Sequence, residues 1–206
     1  MKNSNSDNTS NRNGFNKLMN FSFDGFVAGV DEAGRGAIAG PVTAAAVILD
    51  PKIKINGIQD SKKLRPTERE KLRTIIENRA YCWAVAHVGV NKIDQSNILI
   101  ATFLAMHQAI KQLKVRPELL IIDGNRFNPY EDIEFQCIVK GDSLYKEIAA
   151  ASILAKTHRD QLMKKLNLTH PQYHWKDNKG YPTKKHKKIL SELGGSPWHR
   201  KSFNWV

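Results

Sequence analysis

Apolar residues fall into two patterns along this chain: short continuous runs and stripes at helical spacing. FVAGVD (26–31), VTAAAVIL (42–49), YCWAVAHVGV (81–90), LLIID (119–123) and IEFQCIV (133–139) are continuous runs rich in β-branched or aromatic residues. Each predicts a strand, and the first two are joined by the turn EAGRGAIAGP. Helical spacing begins behind Pro66, where Leu72, Ile75 and Ile76 make an apolar stripe over 66–79. Proline suits a helix's first turn, where its missing N–H has no partner to lose. Ser96 predicts the cap of a helix running to about 113, with Leu99, Phe103, Met106 and Ile110 on one face. A further helix is expected from about 143 to 166, with Ile148, Ser152, Ala155 and Leu162 as its packing stripe. A basic loop and a last helix near 184–193 follow.

Three strands followed by alternating helices and strands describe an α/β fold: a mixed central β-sheet flanked by helices, with a helical C-terminal part. No Pro/Gly-rich linker interrupts residues 21–206, which predicts one domain, and 206 residues suffice for a full core. Residues 1–20 are rich in Asn and Ser and poor in apolar groups, the composition of a disordered tail. That segment lacks the apolar centre of a secretory signal, and no run of about 18 apolar residues predicts a membrane span. Cys82 and Cys137 both fall in apolar strand runs, which favours buried thiols over a disulfide and a cytoplasmic chain. Nothing in the sequence demands more than a monomer.

Charge changes the picture. With 32 Lys and Arg against 20 Asp and Glu, the chain carries a net +12 and attracts polyanions, which points to nucleic acid. Against that background four acids stand out by position. Asp31 and Glu32 close the first strand, Asp123 closes LLII, and Asp142 follows IVKG just beyond the fifth strand. Carboxylates at neighbouring strand ends converge on one edge of the sheet, where ligand sites of α/β folds lie. Brought together, they repel one another unless a cation sits among them, and all-oxygen ligands suit Mg²⁺ or Mn²⁺. Taken singly, each acid is as well explained as a turn or cap residue; the set of four is not.

Other chemistries fit the residues less well. Gly34–Ala39 matches G-x-G-x-x-A, but Gly40-Pro41 and a second strand follow where a dinucleotide site needs a helix. The seven histidines and two cysteines show no zinc-type pairing, and G-x-S-x-G is absent. A non-catalytic nucleic-acid-binding protein remains the alternative, since the basic loops alone would serve it. Asp160, between Lys156 and Lys164 at i−4 and i+4, reads as a surface ion-pair residue.

VDEAGRG (30–36), DSKKL (60–64), IDGN (122–125), VKGDS (139–143), AAASILAKTHRD (149–160), KGYPT (179–183) and HRKSF (199–203) together resemble ribonuclease HII, in that family's order. The resemblance runs from about residue 26 to the end of the chain. It implies an RNase H-like fold and a carboxylate quartet at Asp31, Glu32, Asp123 and Asp142, using Mn²⁺ or Mg²⁺. The implied activity is endonucleolytic cutting of RNA in RNA–DNA hybrids and 5′ of ribonucleotides embedded in duplex DNA, leaving 5′-phosphate and 3′-hydroxyl ends. Gly34, Arg35 and Gly36 match the stretch that reads the 2′-hydroxyl at an RNA–DNA junction, and Tyr181 a tyrosine that packs on the sugar there. Glycines let backbone groups approach a sugar, and the 2′-OH separates RNA from DNA. A tight turn and a half-buried turn tyrosine explain the same residues structurally. Lys62, Lys63 and Lys140 are candidate phosphate contacts beside the acids. Arg35 favours the HII type over the sister HIII type. Ala37 departs from the proline of many bacterial relatives, which affects loop stiffness alone. His199, Arg200 and Phe203 match the family's tail without suggesting a mechanism and are read as structural.

Overall fold

A computed structural model describes residues 18–205. β1 (Val27–Ala33) pairs antiparallel with β2 (Val42–Ile48), which pairs antiparallel with β3 (Cys82–Val88). α1 (Pro66–Arg79) connects β2 to β3. Through α2 (Val90–Gln95) and α3 (Ile98–Lys111) the chain crosses to the other side of β1. There β4 (Leu119–Asp123) runs parallel to β1, and β5 (Glu134–Ile138) runs parallel to β4. The strand order is β3-β2-β1-β4-β5, a mixed sheet. A 3₁₀ turn at Gly141–Ser143 leads into α4 (Lys146–Thr169), and α5 (Trp175–Asn178) and α6 (Lys184–Leu193) follow.

Successive strand residues face opposite sides, so the sheet builds two cores. Ala28, Val30, Leu120 and Ile122 pack against Phe103, Met106 and Ile110 of α3. On the other face Ala45 and Val47 pack against Leu72 and Ile76 of α1 and Ala151 and Leu154 of α4. With both faces covered, β2 is buried at every position, which explains why its sequence is continuously apolar rather than alternating. Alpha-helix α4 lies very close to the sheet. A Cβ on Gly29 would stand 2.1 Å from the carbonyl carbon of Glu147, so only glycine lets β1 meet the first turn of α4.

Several expectations are corrected by the structure. Asn97, not Ser96, caps α3: its Oδ1 accepts from the Ile100 N–H at 2.9 Å. Ser96 instead ends the separate short helix α2, and its hydroxyl donates to the Lys92 carbonyl. Two adjacent cap-forming residues serve two helices, and the apolar pattern alone merges them. Ile75 is exposed, so α1 buries Leu72 and Ile76 without it. The buried stripe of α4 is Ile148, Ser152, Ala155, Arg159 and Met163, with Leu162 half-buried at its edge. Of the expected tail, residues 1–17 lie outside the described residues. Residues 18–20 join the domain: Leu18 is buried, and the Met19 backbone bonds to Leu144 and Lys146 at 3.0 Å each. Cys82 and Cys137 are free thiols, Cys82 buried and Cys137 half-buried. Among the described residues no helix is long and apolar enough to cross a membrane.

Candidate active site

Pairing between β1 and β4 ends at Val30 opposite Ile122. Asp31 and Asp123 are the next residue on each strand, so their carboxyls arise from corresponding places on parallel neighbours. Asp31 and Glu32 do not close β1, as the sequence predicted. They lie within it, held by β2 opposite Ala45 and Ala44, and it is β4 that stops beside them. Alternation then separates the pair. Asp31 faces α4, where Ser152 hydrogen-bonds to it, and Glu32 faces the α3 side, 3.4 Å from Arg35. Asp142 is buried in the 3₁₀ turn before α4, and the backbone N–H groups of Gly141 and Asp142 point at the Asp123 carboxyl.

These acids are electrostatically unsettled. Burial, followed by the charges of Glu32 and Asp123, pushes the Asp31 carboxyl well above its ordinary value. Burial also raises Glu32, against the opposing pull of Arg35. Asp123 is raised by burial and then by the charge of Asp142, and its buried Oδ1 has no hydrogen-bond partner. Lys62 places Nζ 3.0 Å from Asp142 Oδ2. Among the described residues no three His, Cys, Asp or Glu side chains already stand at the spacing of a metal cage. Arg35 pairs with Glu32 and Lys62 with Asp142 instead. The donor set still fits a hard divalent cation: all-oxygen ligands, raised acids and one orphaned buried carboxylate oxygen.

Asp31, Glu32 and Asp123 line a cleft of about 380 Å³ together with the Gly34–Arg35–Gly36 turn and Tyr181. Lys62 and Arg69 complete the rim. A second hollow of about 290 Å³ continues on the α3 side, sharing Glu32, Arg35 and Asp123 with the first. The half-buried Tyr181 ring has Lys156 Nζ and the Arg159 guanidinium each 5.4 Å from its centre. Of the three lysines expected beside the acids, only Lys62 reaches them. Lys63 lines a neighbouring hollow with Lys54 and Lys146, and Lys140 is exposed at the start of the 3₁₀ turn, in a left-handed conformation.

Two wholly buried arginines hold the glycine turn from behind; sequence reasoning missed Arg159, and it read Arg200 as structural without finding its partners. Arg159 donates to the carbonyls of Pro41 (2.9 Å), Lys179 (2.8 Å) and Ala39 (3.0 Å). Arg200 donates to those of Gly40 (3.0 Å), Arg35 (2.9 Å) and Gly34 (2.7 Å). Gly34 has φ +93°, and a Cβ there would lie 2.0 Å from Arg159 Nε, so the turn is tied to glycine twice over. Gly36 has nothing within 4 Å of the place a Cβ would occupy, which leaves open space on the cleft side. One signal for Arg159 was present: it falls four residues from both Ala155 and Met163, on the buried face of α4. Asp160, discounted from sequence, pairs with Lys156 at 2.8 Å on that helix.

Comparison with known proteins gives a single picture. The sequence matches the family described as Ribonuclease HII over residues 28–206. It is 58% identical over 176 residues to ribonuclease HII of Parabacteroides distasonis, covering 85% of this chain and 88% of that one. Ribonuclease HII of Cytophaga hutchinsonii is 54% identical over 190 residues, covering 91% and 94%. Among solved structures, ribonuclease H2 from Pyrococcus horikoshii superposes with a TM-score of 0.73 at 26% identity, covering 87% of this chain and 94% of that one. An RNase HIII, solved in complex with Mn²⁺, shares the fold at a TM-score of 0.68 and 20% identity, covering 82% and 63%.

Proposed function

This chain belongs to the ribonuclease HII family, divalent-metal-dependent endoribonucleases of the H type, and we propose that Asp31, Glu32, Asp123 and Asp142 are its metal ligands and catalytic acids. The substrate is an RNA–DNA hybrid or a DNA duplex carrying ribonucleotides, cut 5′ of the ribonucleotide to leave 5′-phosphate and 3′-hydroxyl ends. One observation carries this reading: two carboxyls on adjacent parallel strands, one with an orphaned buried oxygen, line a single cleft together with a glycine turn and a tyrosine.

When bound, Mn²⁺ or Mg²⁺ supplies Lewis acidity at the scissile phosphate and makes water a competent nucleophile near neutral pH. The Mn²⁺ of the HIII structure makes that ion the first to test. The chain's own residues do the rest. Asp31 and Asp123, which the sheet holds on adjacent parallel strands, would hold the cation. Ser152 orients Asp31 by hydrogen bonding, and the Gly141 and Asp142 N–H groups orient Asp123. The backbone at Gly36, where no side chain fills the open space, comes close to the 2′-hydroxyl, and the Tyr181 ring packs on the sugar. Lys62 and Arg69 hold backbone phosphates at the rim, and Asp142, which pairs with Lys62 here, would be the fourth residue to hold the cation.

The test is cleavage of a DNA duplex holding one ribonucleotide, beside an all-DNA duplex and a long hybrid, with the parent and an Asp123→Asn variant. Metal-dependent cutting 5′ of the ribonucleotide by the parent alone is expected. Cleavage of the long hybrid with the junction intact would remove the roles of Arg35 and Tyr181. Binding of both substrates without cutting would leave a nucleic-acid-binding protein on this scaffold.

A further inference from the structure

Behind Tyr181 lies a buried aromatic box that the chemistry of the acids does not use. Tyr173, Trp175, His186 and His199 pack ring against ring, with Tyr173 stacked on Trp175 at 5.2 Å and edge-on to His199 at 4.6 Å. Both imidazoles are fully buried. His186 Nε2 lies 3.1 Å from His199 Nε2, and His186 Nδ1 lies 2.9 Å from the Tyr181 carbonyl.

Proton accounting admits one arrangement. The Tyr181 carbonyl can only accept, so His186 carries its proton on Nδ1 and offers a lone pair at Nε2. Trp175 Nε1–H, which can only donate, points at that same Nε2 at 3.3 Å, in agreement. At the far end the Ser196 N–H donates to His199 Nδ1 at 2.9 Å, so His199 carries its proton on Nε2 and donates it to His186. The bonds therefore run one way: Ser196 to His199 to His186 to the Tyr181 carbonyl. That carbonyl also accepts from the Thr183 N–H at 2.8 Å, and the preceding Gly180 carbonyl accepts from the N–H groups of Ile38 and Ala39. The loop bearing Tyr181 is thereby fastened to the region behind the glycine turn.

We propose that His186 and His199 are positioning residues for Tyr181: a one-way hydrogen-bond relay through two neutral imidazoles fixes the loop that carries this ring into the cleft. The inference rests on the reading of Tyr181 as the residue packing on the ribose. The relay requires both rings to stay neutral, because a second proton on either would set donor against donor between the two Nε2 atoms. Their surroundings favour this. Burial first, and then the charge of His186, lowers His199 to about 4, and burial lowers His186. The titratable groups facing the pair are His170, which opposes charge on His199, and Tyr173, edge-on to both rings; Arg200 adjoins His199 in sequence. The hydrogen-bond partners of the two imidazoles are Tyr181, Trp175, Ser196 and each other, none of them a carboxylate.

Two substitutions of nearly equal size separate positioning from mere packing. In His186→Asn the amide NH₂ takes the place of Nδ1–H and keeps the bond to the Tyr181 carbonyl. In His186→Gln the amide reaches the Nε2 place instead, and the carbonyl loses its imidazole donor and keeps only the Thr183 N–H. His186→Gln is expected to lower kcat/KM on the single-ribonucleotide duplex about tenfold, and His186→Asn to recover most of it. Nitrogen-15 NMR of the parent reads the relay without activity: His186 protonated on Nδ1 and His199 on Nε2, unchanged from pH 8 down to about 5. Amide exchange at Thr183 should quicken in His186→Gln and not in His186→Asn. The reverse tautomers, a charged imidazole at neutral pH, or equal impairment in the two variants would overturn the relay. The expected NMR and exchange results, with Tyr181→Ala still cutting like the parent, would establish the relay and overturn the reading of Tyr181 instead.

Discussion

Two buried charged regions meet at the cleft, and they are built in opposite ways. On the back side Arg159 and Arg200 bring positive charge wholly out of water, and each spends its guanidinium donors on three backbone carbonyls. Burial lowers both, Arg200 to about 9, yet every contact they make is satisfied. On the front side Asp31, Glu32 and Asp123 are also raised by burial. There, however, like charges face one another and Asp123 Oδ1 has no partner. The first region is complete within the chain and acts as a brace. The second is left incomplete, and its chemistry calls for a cation. A buried charge with all its bonds made marks structure, and one with a bond missing marks a site.

Breaking the front region should have the largest effect on activity. Asp123→Asn keeps size and shape, and it is expected to reduce cleavage of the single-ribonucleotide duplex by about 10³-fold or more while duplex binding persists. A gel assay of cleavage beside a binding titration decides this. Loss of binding and cleavage together would instead indicate damage to the fold.

Breaking the back region should cost stability before chemistry. Arg200→Met removes the guanidinium donors of the Gly34, Arg35 and Gly40 carbonyls, of which Gly34 keeps the Ala37 N–H, at about 2–3 kcal/mol, or roughly 4–12 °C in thermal melting. A melting temperature within a degree or two of the parent would show that water replaces the guanidinium and that the brace is dispensable.

A smaller effect sharpens the contrast through pH. Asp31 and Asp123 have folded values above their ordinary 3.8, so below about pH 4 they are protonated whether folded or not. As pH rises from there, the unfolded chain ionises first and the metal-free fold loses stability, until the raised values are passed. The metal-free protein should therefore gain less melting temperature between pH 4 and 7 than Asp31→Asn does, a difference of a few degrees read by calorimetry. Parallel curves would mean that these acids are not strained. The smallest expected change is electrostatic: Lys62→Met should reduce the salt dependence of duplex affinity by about one unit of log–log slope.

Legibility from sequence followed the same divide. The helices expected near 66–79 and 184–193 and the strand at 119–123 lie where the sequence put them, because local patterns of proline and apolar residues set them. The acids were readable because strands aim them, although β1 runs past its pair, since its length is set by β2 rather than by its own sequence. Arg159 and Arg200 were not readable as a brace. Their partners are carbonyls at sequence separations above 100, apart from Lys179, and an arginine flanked by ionic residues on a helix reads as solvated. The places of Lys63 and Lys140, away from the acids, were hidden for the converse reason. Adjacency to an acid in sequence says nothing of which way a loop side chain turns, and of the DSKKL lysines only Lys62 turns inward.

The claim that the front region awaits a cation is tested most directly by titrating metal-free protein with Mn²⁺ at neutral pH in a calorimeter, beside Asp123→Asn. The account predicts saturable binding by the parent, a rise in its melting temperature with Mn²⁺, and the loss of both in the variant. Equal binding and equal stabilisation in the two proteins would place the metal elsewhere and contradict the account.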